Sequence, residues 1–210
     1  SSINGAAMQR GLPEDFDAWA AMGNDEWSYD KVLPFFRKSE RDLDIRDEFH
    51  GTDGPIPVRR KQAGEWPDIQ KAFHAAALNE GYGTVQDTNG PNPAGVGVWP
   101  TNNLDGWRMS AALTHLNPMR HRLNLTVRGG VFARKVIIEG KKAVGVEVES
   151  GGEVFTVEAD RVVLSAGAIK SPHLLMLSGI GPKDQLEQFG IPVIHDLPGV
   201  GQNLMNHLSA

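Results

Sequence analysis

Cysteine is absent from the 210-residue sequence, which excludes disulfide frameworks, thiolate zinc sites and cysteine nucleophiles. Its absence leaves the compartment unconstrained, with the reducing cytoplasm as the default. Apolar runs of membrane-spanning length are also missing, so no membrane span is expected. Basic residues are outnumbered, 21 Lys and Arg against 26 Asp and Glu. A net charge of −5 and the lack of a basic stripe to neutralise phosphates speak against nucleic acid as the main partner. The chain opens at Ser1 with neither an initiator methionine nor a signal-peptide pattern, and it stops at His207-Leu208-Ser209-Ala210 directly after a turn. It is therefore expected to be a piece of something longer.

Chemical signatures are scarce too. Seven histidines invite a metal search, but His50, His74, His115, His121, His173, His195 and His207 are scattered, with no H-E-x-x-H pair. Each reads as structural, and no metal site is expected. A G-x-S-x-G nucleophile elbow is missing. Gly95-Val96-Gly97, Gly179-Ile180-Gly181 and Gly199-Val200-Gly201 lack the third glycine of a dinucleotide fingerprint, so each reads as a turn.

What is present is an α/β pattern long enough for one large domain or two small ones. Pro13 and the acidic residues after it begin a helix, with Phe16 and Trp19 on one face. Ser28 can cap a second helix carrying Val32, Leu33, Phe35 and Phe36, which Pro34 should kink or shorten. Charges of alternating sign over residues 37–47 predict a solvated helix face or loop. His50-Gly51-Thr52-Asp53-Gly54-Pro55 is a turn cluster, followed by an edge strand at Ile56-Pro57-Val58. Pro67 opens a helix that stops near Gly81, and the Gly-, Pro- and Asn-rich loop over residues 87–97 is of the kind that lines a site. Ser110 caps a further helix.

Strands are predicted at Leu125-Thr126-Val127, Val131 to Ile138, Ala143 to Val148 and Val154 to Val157. Tight turns at Gly140 and Gly151-Gly152 make the last three an antiparallel meander. The pivotal stretch is residues 161–181. It reads as a buried strand, Val162-Val163-Leu164, that breaks at Ser165-Ala166-Gly167 and re-enters as a helix ended by Gly179, with Pro172 in its first turn. Small residues where strand becomes helix let backbone amides approach a bound group. A last short strand is expected at Ile191-Pro192-Val193-Ile194. On these features the chain is an α/β protein with a nucleotide-sized binding edge, and the reaction type stays open.

Residues 167–181, GAIKSPHLLMLSGIG, resemble without a gap the second signature of the glucose-methanol-choline (GMC) oxidoreductases, FAD-dependent enzymes that oxidise alcohols. Ser1-Ser2-Ile3-Asn4-Gly5 resembles the family's Gly-Gly-Ser-Ser-x-x-Asn segment without its front. Asp17-Ala18-Trp19, Trp27-Ser28-Tyr29, Leu33-Pro34-Phe35-Phe36, the His50 to Pro55 cluster and Asp196 to Leu204 follow in the family's order.

The resemblance implies an incomplete FAD-binding Rossmann-like domain with an antiparallel β-meander, plus part of a cap or substrate domain. Residues 1–12 would be an FAD-binding segment, 13–60 a connecting segment covering FAD, 61–120 part of the substrate domain, and 121–210 the FAD-binding domain with its meander. It places Ser2, Asn4, Gly5 and Ala6 at the flavin and pyrophosphate, the Ala133 backbone at the adenine, and Ala166 and Gly167 at the adenosine part. Ile3 stands where some members attach flavin through histidine, so non-covalent FAD is implied. The family's glycine-rich turn would precede Ser1 and its catalytic histidine would follow Ala210. No catalytic residue is therefore assigned, His207 included. The implied partners are a small-molecule alcohol and an electron acceptor, oxygen or a quinone or other carrier. The rival readings are a non-catalytic nucleotide-binding or interaction fragment of the same fold and a flavin-containing hydroxynitrile lyase.

Overall fold

The computed structural model describes residues 4–206, and the chain divides between Leu125 and Thr126 into two compact units. In the first unit, α1 (Pro13–Ala21) begins at a proline whose missing N–H falls where no intrahelical acceptor exists. The Asp15 carboxylate accepts the Leu12 N–H at 2.8 Å. Next comes α2 (Tyr29–Ser39), which starts after Ser28 as expected. Its cap comes from elsewhere: Asp17 Oδ1 accepts the Tyr29 N–H at 3.0 Å. Phe16, Tyr29 and Val32 are buried together, with Leu33, Phe36 and Phe49 packed on them. That apolar face carries α2 through Pro34, which removes one ladder bond without ending the helix.

Residues 37–47 depart most from expectation. The predicted solvated stretch contains β1 (Glu40–Asp42), where Glu40 and Asp42 are only 2% and 1% exposed and Arg41 points out. A spacing of two places both carboxylates on one strand face, and guanidinium partners make that face stable inside the protein. The parallel partner of β1 is β2 (Ile56–Val58).

After α3 (Asp68–Asn79), β3 (Thr84–Val85) and β4 (Val96–Gly97) pair in parallel, and β5 (Asn103–Leu104) and β6 (Trp107–Arg108) form a hairpin. The helix expected after Ser110 runs as π-helical turns at Ala112–Leu116 before α4 (Asn117–Met119). Two features loosen its α-register: Pro118 has no N–H to donate, and Thr114 Oγ1 bonds back to the Ser110 carbonyl at 3.1 Å. The Ser110 carbonyl accepts the Leu113 and Thr114 N–H groups, both at 2.9 Å, so the helical turns begin where expected.

The second unit is built on the expected meander: β7 (Phe132–Glu139), β8 (Lys142–Ser150) and β9 (Glu153–Glu158), antiparallel in that order. Val136 and Val148 are buried on it, and the register shifts between Ala133 and Lys135. Then follow α5 (Gly167–Leu177), β10 (Ile180–Gly181), α6 (Lys183–Gln188) and β11 (His195–Asp196), the last parallel to β10. Leu174, Leu186 and Val200 are buried in this part of the chain, Leu186 at 1% exposure.

Three predicted strands are absent. Residues 125–127, 162–164 and 191–194 carry no ladder, and Val163 is 77% exposed. An apolar run becomes a strand only where a neighbouring backbone accepts its hydrogen bonds in a repeating ladder; here the Leu125, Ile191 and Ile194 N–H groups find only single carbonyls, those of Arg122, Leu186 and Gly179. The last short strand forms instead at β11, where β10 supplies a partner. Pro172 also sits in the middle of α5 and not in its first turn, because the helix already begins at Gly167. Gly179 ends α5 as expected, for a double reason. Its φ is +80°, and a Cβ there would stand 2.5 Å from the Pro192 carbonyl oxygen.

Candidate functional site

The second unit carries the edge assigned to adenosine. Ala133 is exposed on β7, paired with Val148, and β7 has only β8 as a strand neighbour among the described residues. Ser165, Ala166 and Gly167 are all exposed at the head of α5. The Ala166 N–H is held by Ser171 Oγ at 3.0 Å. Gly167 has φ +88° and no atom within 4 Å of where a Cβ would stand. The small, exposed turn leaves room for close backbone approach of a bound group such as the adenosine that the resemblance assigns there.

In the first unit Asn4 and Gly5 are exposed, whereas Ala6 is buried at φ +65°. A non-glycine residue costs about 1–2 kcal/mol in that region and persists only where its surroundings hold it. Ala6 is held by neighbours on its C-terminal side: its carbonyl accepts the Asn102 N–H at 2.9 Å, and Met8 N–H reaches the Pro100 carbonyl at 2.9 Å. Ser2 and Ile3, and His207 at the other end, lie outside the described residues.

A side-chain clasp completes the hold on this segment. Asn89 Nδ2 donates to the Met8 carbonyl and Asn89 Oδ1 accepts the Arg10 N–H, both at 2.9 Å, as a strand neighbour would. Thr88 and Gln9 bond each other alongside. The first part of the loop over residues 87–97 therefore grips the segment assigned to flavin. Its far end, Val96 and Gly97, joins Trp66, Phe73, His74 and Trp99 in lining a cavity of about 730 Å³. Trp66 and His74 meet there edge to face, with ring centroids 5.1 Å apart.

Beneath the clasp lies a buried charge cluster that the sequence did not reveal. Arg10 pairs with Glu40, donates to the Phe49 carbonyl at 2.8 Å, and stands 5.2 Å from the Phe36 ring centroid. Glu40 also accepts the Gly51 N–H at 3.0 Å. Arg60 forks onto both oxygens of Asp42 at 3.1 and 2.9 Å and reaches Asp87 at 2.8 Å. His50, 1% exposed, faces Asp47 at 2.7 Å through Nδ1; its Nε2 lies 3.4 Å from Asp87 and 3.7 Å from Asp42. Burial alone would push the Asp47 carboxyl up, but hydrogen bonds from the His50 ring and from the Phe49 and His50 backbones, with the His50 charge, hold it below the ordinary range.

Glu40, Asp42 and His50 offer ligand atoms within 4.8 Å of one another. The two arginines and three backbone N–H groups bond Glu40 Oε1 and both Asp42 oxygens, so these carboxylates are held in an ion-pair brace. No helix among the described residues is long and apolar enough to cross a membrane.

Comparison with known proteins identifies the family. The sequence pattern of the GMC oxidoreductase family matches residues 1–209. The chain is 44% identical over 206 residues to an uncharacterised GMC-type oxidoreductase of Rhodococcus erythropolis, covering 98% of this chain and 41% of that protein. It is 46% identical over 209 residues to an oxygen-dependent choline dehydrogenase of Photobacterium profundum, covering 99% and 37% respectively. Among solved structures, pyridoxine 4-oxidase from Mesorbium loti superposes with a TM-score of 0.88 at 36% identity, over 94% of this chain and 39% of that one. A formate oxidase variant from Aspergillus oryzae gives 0.86 at 31% identity, over 98% and 37%. The chain thus spans about two fifths of the length of the relatives it matches. With the family's pattern running over nearly its whole length and the same fold in FAD-dependent relatives, the chain belongs to the GMC oxidoreductases and is an FAD-binding part of such a protein.

Proposed function

We propose that the protein carrying this chain oxidises the CH–OH group of an alcohol to an aldehyde or ketone, with this chain holding FAD non-covalently. The observation that carries the reading is the open turn at Ala166 and Gly167, small and exposed at the head of α5, in a chain of this family. Ala166 and Gly167 would take the adenosine part and the Ala133 backbone the adenine. Asn4, Gly5 and Ala6, with Ser2, would lie at the flavin and pyrophosphate. When bound, the flavin supplies a hydride acceptor for the alcohol carbon.

The remaining work falls to side chains. Asn89 and Arg10 hold the flavin-side segment in place, because a loosely held segment loses the orientation that catalysis needs. Trp66, Phe73, His74 and Trp99, together with the charged Arg59, Lys61, Glu65 and Asp105, line the neighbouring cavity, which offers ring faces and charged groups to a small polar alcohol. No residue of the chain is assigned as the base that takes the hydroxyl proton. The electron acceptor is oxygen or a quinone or other carrier.

The test is anaerobic titration of the purified protein with choline, pyridoxine, aryl alcohols and aliphatic alcohols. Bleaching of the flavin absorbance by one of them, with one equivalent of aldehyde or ketone formed, is the expected result. An unchanged spectrum across the panel, with a cyanohydrin cleaved instead, replaces oxidation by the lyase reading.

A further inference from the structure

Ser178 stands where α5 ends and is 4% exposed. Its Oγ donates to the Leu174 carbonyl at 2.6 Å and accepts the Val136 N–H at 2.8 Å. A hydroxyl has one proton, so these roles are complementary and both are filled. Val136 belongs to β7, the outer strand of the meander, and its N–H turns away from β8 towards Ser178. At 7% exposure the residue is closed to water, so Ser178 occupies the place of a missing ladder partner.

The link is placed where it matters for register. It falls three residues after Ala133, between the two register shifts of the β7–β8 pair, one at Ala133 and Lys135 and the other at Ile137 and Ile138, where the ladder is irregular. On its other side Ser178 closes the last turn of α5, its N–H reaching the Leu174 and Leu175 carbonyls at 3.1 and 3.0 Å. Ala166 and Gly167 lie at the opposite end of that helix. Ser178 is therefore the joint between the strand that carries Ala133 and the helix that carries the Ala166–Gly167 turn.

We propose that Ser178 is a positioning residue for the adenosine half of FAD, setting the spacing between the Ala133 backbone and the Ala166–Gly167 turn. This rests on the assignment of those residues to adenosine. The leverage is large: α5 is about 16 Å long, so a tilt of roughly 4° at Ser178 displaces the Gly167 end by about 1 Å. A shift of that size spans the whole useful range of a hydrogen bond.

The experiment uses the whole protein carrying this chain, stripped of flavin, as wild type, Ser178→Ala and Ser178→Thr, with ADP and FAD as probes in separate titrations. In Ser178→Ala the Kd for ADP and for FAD should rise together by about five- to tenfold, the worth of one buried hydrogen bond. Ser178→Thr keeps the hydroxyl and should restore both. If Ser178→Ala does not fold, Ser178→Cys, a weaker donor and acceptor, should show the same paired loss to a smaller degree. A variant with a lowered Tm but unchanged affinities for both probes would make Ser178 a merely structural residue and overturn the proposal. A loss for FAD without a loss for ADP overturns it as well. Failure of the wild type to bind either probe would instead refute the assignment of the adenosine site.

Discussion

Arg10→Met in the whole protein removes the guanidinium from Glu40 while keeping most of the apolar stem over Phe36. The Glu40 carboxylate, 2% exposed, is then left with the Gly51 N–H as its remaining partner. Breaking a buried ion pair from one side costs about 3–5 kcal/mol, because the other charge stays desolvated. Spread over a domain of this size, at about 2–4 °C per kcal/mol, the loss corresponds to a drop in Tm of about 6–20 °C. Calorimetry of the wild type, Arg10→Met, Glu40→Gln and the double variant forms a cycle. The double variant should recover part of the loss, since removing both charges abolishes the uncompensated one. A single-variant drop below about 2 °C, or a double variant as unstable as the sum of the singles, would falsify the view that the two charges balance each other in the fold.

Asn89→Ala removes both 2.9 Å bonds from the segment assigned to flavin, so it should cost about 1–3 kcal/mol and speed hydrogen exchange at the Arg10 amide; unchanged exchange there would show that the backbone holds itself. Gly179→Ala meets both a φ of +80° and the Pro192 carbonyl at 2.5 Å, and should destabilise by more than about 2 kcal/mol, read from the urea midpoint. Asp47 has its folded pKa depressed below the ordinary carboxylate value, so its contribution is complete above that ordinary value and is lost as pH falls through the lower folded one. Asp47→Asn should therefore flatten the acid limb of the Tm profile, with little change in its slope near neutrality.

Much of the fold was legible because its signals are local. The Pro13 helix start, the apolar face of Phe16, Val32 and Phe36, and the alternation of the meander with its glycine turns each depend on residues a few positions apart. Glu40 and Asp42 were misread because their burial depends on Arg10, 30 positions away, and Arg60, 18 positions from Asp42. Their spacing of two, next to a short apolar strand, is the one signal that could have placed them on an inward face. Asn89 gave no signal at all, since its partners lie 79 and 81 positions away. The strand expected at residues 162–164 failed for the same physical reason. Apolarity sets a tendency to pair, but the partner decides. In the candidate site, the turn at Ala166 and Gly167 was readable from small residues before a helix, whereas the roles proposed for it and for Ala133, Asn4, Gly5 and Ala6 come from family resemblance.

The most direct measurement is the flavin content of the protein carrying this chain after gentle purification. One FAD per chain, released intact by denaturation and rebound on refolding, is the expected result for a non-covalent FAD-binding GMC oxidoreductase. Protein that is folded yet free of flavin and unable to take it up from solution would contradict it.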